Sequence, residues 1–306
     1  MSDLGVVIVN YNTRDLLRDC LASLFASEGD FAFEVCVVDN ASQDGSAEMV
    51  AQTFPQVRLI RSPVNGGYAY ANNLGLRALG FRAPDEPPAP TSPPTFALLL
   101  NPDTVVPPRA LQGLLDFMAR HPEAGIVGPK LLRMDGSLDL ACRRSFPTPE
   151  VSFWRMTGLS KLFPRSRRFG RYNLTYLDPD ETAEVDAVVG ACMLVRGEAI
   201  RQVGLLDEAF FMYGEDLDWA KRIKEAGWKV YYYPEVIVHH VKRASSRRSA
   251  RAQIEFNRAM RIFYEKHYAA TTPRWLHLLV LTGIGLRDGW VRLRLALRRP
   301  LRGGGR

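Results

Sequence analysis

A chain of 306 residues, 46% of them hydrophobic, can bury a sizeable core, which excludes a disordered or fibrous protein. The formal charge of +7 is unevenly carried: residues 242–306 hold 16 Lys and Arg against 3 Asp and Glu, so the preceding 241 residues balance at −6 and the basic character belongs to the tail. The cysteines Cys20, Cys36, Cys142 and Cys192 stand singly, without the close pairs of zinc or redox motifs, and are expected to be reduced and buried in a cytoplasmic protein.

Near the start, Asp3 is followed by an apolar stretch too short for the core of an export signal. The first half then alternates in the manner of an open α/β sheet. LGVVIVNYN reads as a strand, and TRDLLRDCLASLFAS as a helix with Leu16, Leu17, Cys20, Leu21, Leu24 and Phe25 at helical spacing. Thr13 is a candidate N-cap there, and Ser42 or Asp44 for the next helix. FEVCVVDNAS, GSAEMVAQTF, VRLIRS and GYAYANNLGLRALGF continue as strand, helix, strand and helix. Six prolines between residues 83 and 95 predict a solvated loop before the strand TFALLL. VPPRALQGLLDFMARHP is a helix, and AGIVGPKLLRMDGSLDL a strand followed by a hairpin. Residues 143–176 are basic and aromatic and show no clean period.

In a parallel sheet, ligands bind at the carboxyl ends of the strands. Here those ends are polar: Asn10, Tyr11 and Asn12; Asp39 and Asn40; Asn65, Gly66 and Gly67; Asn101, Pro102 and Asp103. One such end reads as a turn or cap, but four together form a rim of amides and carboxylates. The inventory suits a nucleotide: Asp39 can accept from a base imide or a ribose hydroxyl, and Asp103 can hold a divalent cation against a diphosphate. Neither GxGxxG nor GxxxxGK[ST] occurs, so a metal is the expected partner of the phosphates. A second constellation, FFMYGEDLDWAKRIKEAGW, puts Glu215, Asp216 and Asp218 in the first turn of a helix, beside Tyr213. The helix dipole favours acids there, yet capping needs only one, and a carboxylate facing a cleft can act as a general base. His239 and His240 close the strand-like run PEVIVHH; adjacent strand residues face opposite ways, so one of the two is a candidate metal ligand.

The ordered motifs VVIVNYNTRDLLRDCLASL, VVDNASQDGS, NGGYAYANNLGL, LLLNPDT, GACMLVRGEAIRQVGLLDEAFFMYGEDLDWAKRIKEAGW and VHHVKRASS resemble those of the family 2 inverting nucleotide-sugar glycosyltransferases of GT-A fold. The similarity runs from about residue 5 to 246 and is greatest to rhamnosyltransferase-like members that build bacterial surface polysaccharides. The resemblance implies an α/β chain with a Rossmann-like nucleotide-sugar-binding half at 1–130, an acceptor-binding half at 131–245 and a helical basic tail at 246–306. It implies a donor pocket of Asn10, Tyr11, Asn12, Asp39, Asn65, Gly66, Asn101 and Asp103, with Asp103 on Mg²⁺ or Mn²⁺. It implies Asp216 as catalytic base with Glu215 beside it, Asp218 and Tyr213 towards the acceptor, and a histidine as additional metal ligand. His240 fits the spacing to Pro234 and Ser245 better than His239. Asn101 replaces the first acid of the family's DxD, which leaves Asp103 dependent on the histidine.

The expected reaction is non-processive transfer from a nucleoside diphosphate sugar, rhamnose by resemblance, to a hydroxyl of a polysaccharide or lipid-linked glycan precursor. A processive synthase would carry QxxRW where this chain has TTPRW, and a nucleotidyltransferase GxGTR where it has NYNTR. A catalytically silent sugar-nucleotide-binding or scaffold protein would lose Asp103 or Asp216, and both are present. In the tail, Trp275, Leu276, Leu279, Trp290, Leu293 and Leu297 with Arg287, Arg294 and Arg298 suit two arrangements, a helix on the anionic inner face of the cell membrane or one packed on the protein with a solvated basic face. The apolar run falls short of a span, and with no nucleic-acid module present, nucleic acid is not an expected partner.

Overall fold

A computed structural model describes residues 2–241 and 250–297. The expected boundary at 245/246, Ser245 and Arg298 fall outside them. The described residues form two compact units: 2–208 with 215–241, and 209–214 with those from 250 on.

The first unit is built on one nine-stranded sheet. Its strands are β1 (Leu4–Asn10), β2 (Phe33–Asp39), β3 (Arg58–Arg61), β4 (Phe96–Leu100), β5 (Thr104–Val105), β6 (Ala124–Leu132), β7 (Ala183–Glu184), β8 (Cys192–Arg196) and β9 (Lys229–His240). The helices are α1 (Arg14–Phe25), α2 (Ser46–Thr53), α3 (Tyr68–Ala78), α4 (Ala110–Arg120), α5 (Pro149–Met156), α6 (Leu159–Leu162), α7 (Gly197–Val203) and α8 (Glu215–Glu225). Strand order is β3-β2-β1-β4-β8-β6-β9-β5, with β7 on β9.

From β3 to β4 the strands are parallel, as the alternating sequence predicts. β1 is buried along its whole length, as a β-branched run covered on both faces should be. Beyond β4 the sheet becomes mixed: β8 is antiparallel to both β4 and β6. This departs from a purely parallel sheet. It matters because Leu100, the last residue of β4, pairs with Cys192, the first of β8, so the turn before β8 lies beside the Asn-Pro-Asp segment. The hairpin expected after β6 is present as the bridge of Leu132 to Leu138. The basic stretch without a period contains the short helices α5 and α6 and a 3₁₀ turn at Arg171–Asn173. Thr13 precedes α1 but its hydroxyl goes to Asn10 rather than to a helix amide, and α2 follows Gly45.

The core is layered around this sheet. Leu17, Cys20, Leu21 and Leu24 are the buried stripe of α1, and Leu111, Leu114, Leu115 and Met118 that of α4. All four cysteines are free and buried, and burial pushes the thiols of Cys20 and Cys36 up to about 12. They are therefore poor nucleophiles.

The second unit contains two helices, α9 (Ala250–His267) and α10 (Arg274–Leu297), joined by a six-residue connection, 268–273. They form an antiparallel hairpin: near the connection the Tyr264 hydroxyl and His277 Nδ1 are 3.0 Å apart with stacked rings, and further along Arg287 lies over Phe256. No helix among the described residues is long and apolar enough to cross a membrane.

Gly75 shows how tightly α3 packs on the sheet. A Cβ there would lie 2.5 Å from Val7 Cγ1 and 3.3 Å from Val38 Cγ2. We expect Gly75→Ala to lower stability by about 1–3 kcal/mol in urea denaturation, despite alanine's better helix propensity. Adding Val7→Ala should recover part of the loss, and additive losses would show that the crowding is not with Val7.

Candidate active site

The parallel register puts Asn10 opposite Asp39. Asn10 Nδ2 donates to Asp39 Oδ1 at 3.1 Å and to Ser42 Oγ at 3.0 Å, while the Ser42 amide donates to Asp39 Oδ2 at 3.1 Å. Asn10 and Asp39 are both buried. The carboxylate expected at the nucleobase thus also ties the ends of β1 and β2 together. The chain leaves these strands through left-handed residues, Asn12 at φ 54 and Ala41 at φ 65. Asparagine tolerates that conformation and alanine is strained in it, so conformational energy is concentrated at the rim. Tyr11 is 49% exposed and presents its ring to solvent. Asn65 Oδ1 accepts from Asn40 Nδ2 at 3.0 Å, and the Gly66 amide donates to Asn40 Oδ1 at 3.2 Å. Asn40 thereby fixes the loop after β3 against the end of β2.

Pro102 removes a donor where β4 must stop, and the chain re-enters the sheet as β5, a two-residue strand. β5 pairs with β9 so that Thr104 faces His240 and Val105 faces His239. Asp103 Oδ1 then lies 3.2 Å from His240 Nε2. The other ring nitrogen, Nδ1, lies 3.0 Å from Oδ2 of Asp139. Asp139 is buried and takes a further bond from the Ala141 amide at 3.3 Å. The alternation of β9 sends His239 away from this group, where it is half-buried. Asn101 engages through its backbone: its amide donates to Ala191 O at 2.9 Å, and its carbonyl accepts from Thr104 Oγ1 at 2.7 Å.

These donors suit a divalent cation. A buried carboxylate on Nδ1 leaves Nε2 as the coordinating nitrogen, the arrangement that orients histidines on metals. Asp103 supplies a hard oxygen beside it. Among the described residues no group of three or more His, Cys, Asp or Glu is placed to hold an ion by protein ligands alone. Asp103 and His240 would hold Mg²⁺ or Mn²⁺ with the help of substrate oxygens, since Mg²⁺ sites commonly draw few ligands from the protein.

The acids at the start of α8 are arranged differently from one another. Asp216 is buried, and its Oδ2 accepts from Arg144 Nη2 at 2.6 Å and from the Gly190 amide at 3.2 Å. Arg144 is also buried and gives a second bond to Val188 O at 2.7 Å. Glu215 is buried without such a partner, and its Oε2 has no hydrogen bond among the described residues. Burial, and then the charge of Asp216, push its carboxyl up to about 8. Asp218, expected at the acceptor, has no exposed surface. It pairs with Arg222 at 2.9 Å, and Arg222 reaches the carbonyls of Val203 and Leu205, so Asp218 ties α8 to that turn. Tyr213 belongs to the second unit, in the left-handed region at φ 72, with its ring edge-on to Phe256.

Tyr68 connects the two groups of acids. Its hydroxyl donates to Gly190 O at 2.8 Å. Burial pushes its pKa up, and the charges of Glu215, Asp216 and Asp103 push it further. The Gly190 amide bonds Asp216 and the next carbonyl, Ala191 O, accepts from the Asn101 amide at 2.9 Å, so Asp103 and the acids of α8 border one region of the first unit. Tyr68, Asp139, Arg144 and Gly190 were not singled out by sequence. Tyr68 follows the rim glycines and Gly190 opens the GACMLVR motif, but for Asp139 and Arg144 the chain offers no local signal.

Two expectations follow from the charges. Removing Arg144 leaves Asp216 buried and unpaired, so Arg144→Met should cost about 3–5 kcal/mol in chemical denaturation, and Arg144→Met/Asp216→Asn should regain much of it. Glu215 holds its proton more tightly in the folded state than in the unfolded chain. The folded state is therefore favoured below the ordinary glutamate range and loses that advantage as pH rises towards about 8. Melting of Glu215→Gln against the wild type between pH 5 and 9 (about the span of ordinary and shifted values) should show the variant gaining relative stability as pH rises. A constant difference would place Glu215 in a wetter environment.

Comparison with known proteins fits this geometry. Residues 2–260 match the family described as glycosyltransferase-like family 2. The chain is 32% identical over 304 residues to the N-acetylglucosaminyl-diphospho-decaprenol L-rhamnosyltransferase of Mycobacterium tuberculosis, covering 98% of this chain and 95% of that protein. Among solved structures, it superposes with a TM-score of 0.57 on the mannosyltransferase PcManGT from Pyrobaculum calidifontis, which is in complex with GDP-Man and Mn²⁺. That match has 17% identity and covers 95% of this chain and 72% of the other. S. aureus TarS superposes with a TM-score of 0.55 at 16% identity over 93% of this chain, which spans 43% of TarS. The chain belongs to glycosyltransferase family 2 and is a nucleotide-sugar glycosyltransferase of GT-A fold.

Proposed function

We propose that the protein is an inverting, metal-dependent, non-processive glycosyltransferase that moves rhamnose from a nucleoside diphosphate donor to a hydroxyl of a lipid-linked or polysaccharide glycan precursor. The observation that carries this reading is the turn before β8, where Ala191 O accepts from the Asn101 amide at 2.9 Å and the Gly190 amide donates to Asp216 Oδ2 at 3.2 Å, so that the segment of Asp103, suited to a metal, lies beside Asp216, suited to a proton. Residues 1–130 would take the donor, with the base near Asp39, Tyr11 and Asn12 and the diphosphate near Asn101 and Asp103. Residues 131–245 would take the acceptor.

Asp103 and His240 would hold Mg²⁺ or Mn²⁺, which neutralises charge developing on the departing diphosphate. Asp216 would receive the acceptor proton. Its carboxylate is aimed by Arg144 and the Gly190 amide through Oδ2, while Oδ1 accepts from the Leu217 amide at 2.8 Å, and further lone pairs remain for a substrate hydroxyl. A single displacement needs one base and no covalent intermediate, and it inverts the anomeric centre, unlike retention through a nucleophilic carboxylate. Glu215, protonated at neutral pH, is suited to donate a hydrogen bond rather than to compete as a base. The rhamnose assignment and the lipid-linked class of acceptor follow the name of the mycobacterial relative.

A panel of thymidine, uridine and guanosine diphosphate sugars, assayed with and without Mn²⁺, tests the reading. We expect transfer with a diphospho-rhamnose donor, abolished by chelation, and a product whose anomeric configuration, read by NMR, is opposite to the donor's. Asp216→Asn should lower kcat by about 10²–10⁴-fold, and Asp103→Ala should raise the Mn²⁺ concentration needed for activity. Wild-type turnover in both variants, or a retained configuration, would sink the proposal.

A further inference from the structure

We propose that the outward face of α10 is a docking surface for an anionic lipid bilayer, with the helix lying in the plane of the headgroups. The inference rests on α10 alone and on none of the catalytic assignments. Trp275, Leu278, Leu279, Leu286, Trp290 and Leu293 are 58% to 71% exposed. At about 100° per residue they fall within roughly 60° of a single line along the helix. Thr282, also exposed, lies on that line between Leu279 and Leu286. Single exposed apolar residues are ordinary on protein surfaces, but a contiguous stripe marks a contact.

The charges around the stripe identify the occupant. Arg274 and Arg292 stand about 100° to one side of the stripe, Arg287 and Arg294 about 100–120° to the other, and all four are exposed. Asp288 is the one acid of the helix, and it is turned inward and bonded to Arg292 at 2.6 Å. The opposite face carries His277, which meets Tyr264 of α9, and the buried Ile284 and Val291. The helix thus has three sectors: a side towards α9, an apolar keel, and a rail of arginines along each edge of the keel. A keel sunk about 5–10 Å into the acyl boundary puts both rails at the depth of the phosphates, where arginine side chains reach headgroups while their stems stay apolar. The Arg294 guanidinium over the Trp290 ring, 5.3 Å from its centroid, couples rail to keel in the manner of interfacial residues.

A second copy of the chain is the competing occupant. A self-complementary contact on this face would set arginine rail against arginine rail, and like charges along a rim oppose association. An anionic surface meets both rails favourably, and the charge of +13 over residues 242–306 adds long-range attraction to it.

Flotation of the full chain tests this, using phosphatidylcholine vesicles with and without phosphatidylglycerol. We expect at least about tenfold tighter partition to the anionic vesicles, weakened by high salt. Leu279→Glu/Trp290→Glu should abolish flotation, and Arg274→Gln/Arg294→Gln should remove the preference for anionic lipid. Both variants should keep the wild-type melting temperature, since every altered residue is exposed. As a measurement that needs no disruptive variant, wild-type tryptophan emission should shift to the blue on adding anionic vesicles and be quenched by brominated lipid, with a smaller response in Trp275→Phe. Equal binding to both vesicle types, no binding, or a wild-type dimer that the Leu279→Glu/Trp290→Glu variant turns into a monomer overturns the proposal.

Discussion

A charge removed from water must be compensated, and at this site each buried acid meets that requirement in its own way. Asp216 is compensated by a guanidinium and a backbone amide, Asp218 by Arg222 one helical turn away, and Asp139 by Arg133 at 3.8 Å together with contacts to the Ala141 amide and the imidazole of His240. Glu215 has no cation of its own and keeps its proton instead. Crowding all four as carboxylates without these partners would open the first unit. The compensation fixes where Arg144, Arg222 and His240 must stand, and with them the loops that carry them.

The same requirement separates chemical roles among neighbouring residues. Glu215 and Asp216 are adjacent on α8, yet burial and its neighbour's charge push the carboxyl of Glu215 up while Asp216 is ion-paired, because Arg144 bonds only to Asp216. Two like acids whose environments differ can divide donor and acceptor duties at one pH. At the other end of the region, His240 stands between two carboxylates, Asp139 deep in the fold and Asp103 at the strand end. The inner acid fixes the ring through Nδ1, which turns Nε2 towards the outer acid. Tyr68 and the Gly190 turn lie between these centres, and a side chain at Gly190 would meet the Tyr68 hydroxyl at 3.3 Å.

Much of this was legible in the chain. The alternation of β-branched runs with amphipathic stretches gives the parallel half of the sheet, and the polar residues that end those runs give the rim, because a parallel sheet exposes its strand ends together. Strand alternation narrows which of His239 and His240 meets Asp103, but the pairing that brings His240 to it is made by β5, a two-residue strand too short to carry a period. The direction of β8 was not readable either: an apolar run such as CMLVR states that it is buried, not which way it runs. Arg144 was hidden for another reason. It is one of several arginines in a stretch without periodicity, and only the tertiary pairing with Asp216 distinguishes it from those left in solvent. Asp139 likewise reads as a turn residue beside DGS, and its function appears only when β9 brings His240 back to it from 101 residues away.

The two units handle charge in opposite ways. In the first, arginines are drawn inward to serve acids: Arg144, Arg196 and Arg222 all spend donors on buried carbonyls or carboxylates. In α10 the four described arginines are exposed, Arg287 at the edge over Phe256 and Arg292 beside Asp288, and the sequence between them is apolar where a solvated helix would be polar. Helix propensity favours leucine but gives no reason for the leucines to gather with two tryptophans on one exposed face, and packing on α9 occupies a different side of the cylinder. A stripe whose one-sided placement the hairpin does not explain, bordered on both sides by one sign of charge, suits the third body proposed above, one with an apolar interior and a negative rim. A bilayer has that profile through its depth, and a folded protein surface does so only where it has been shaped to match.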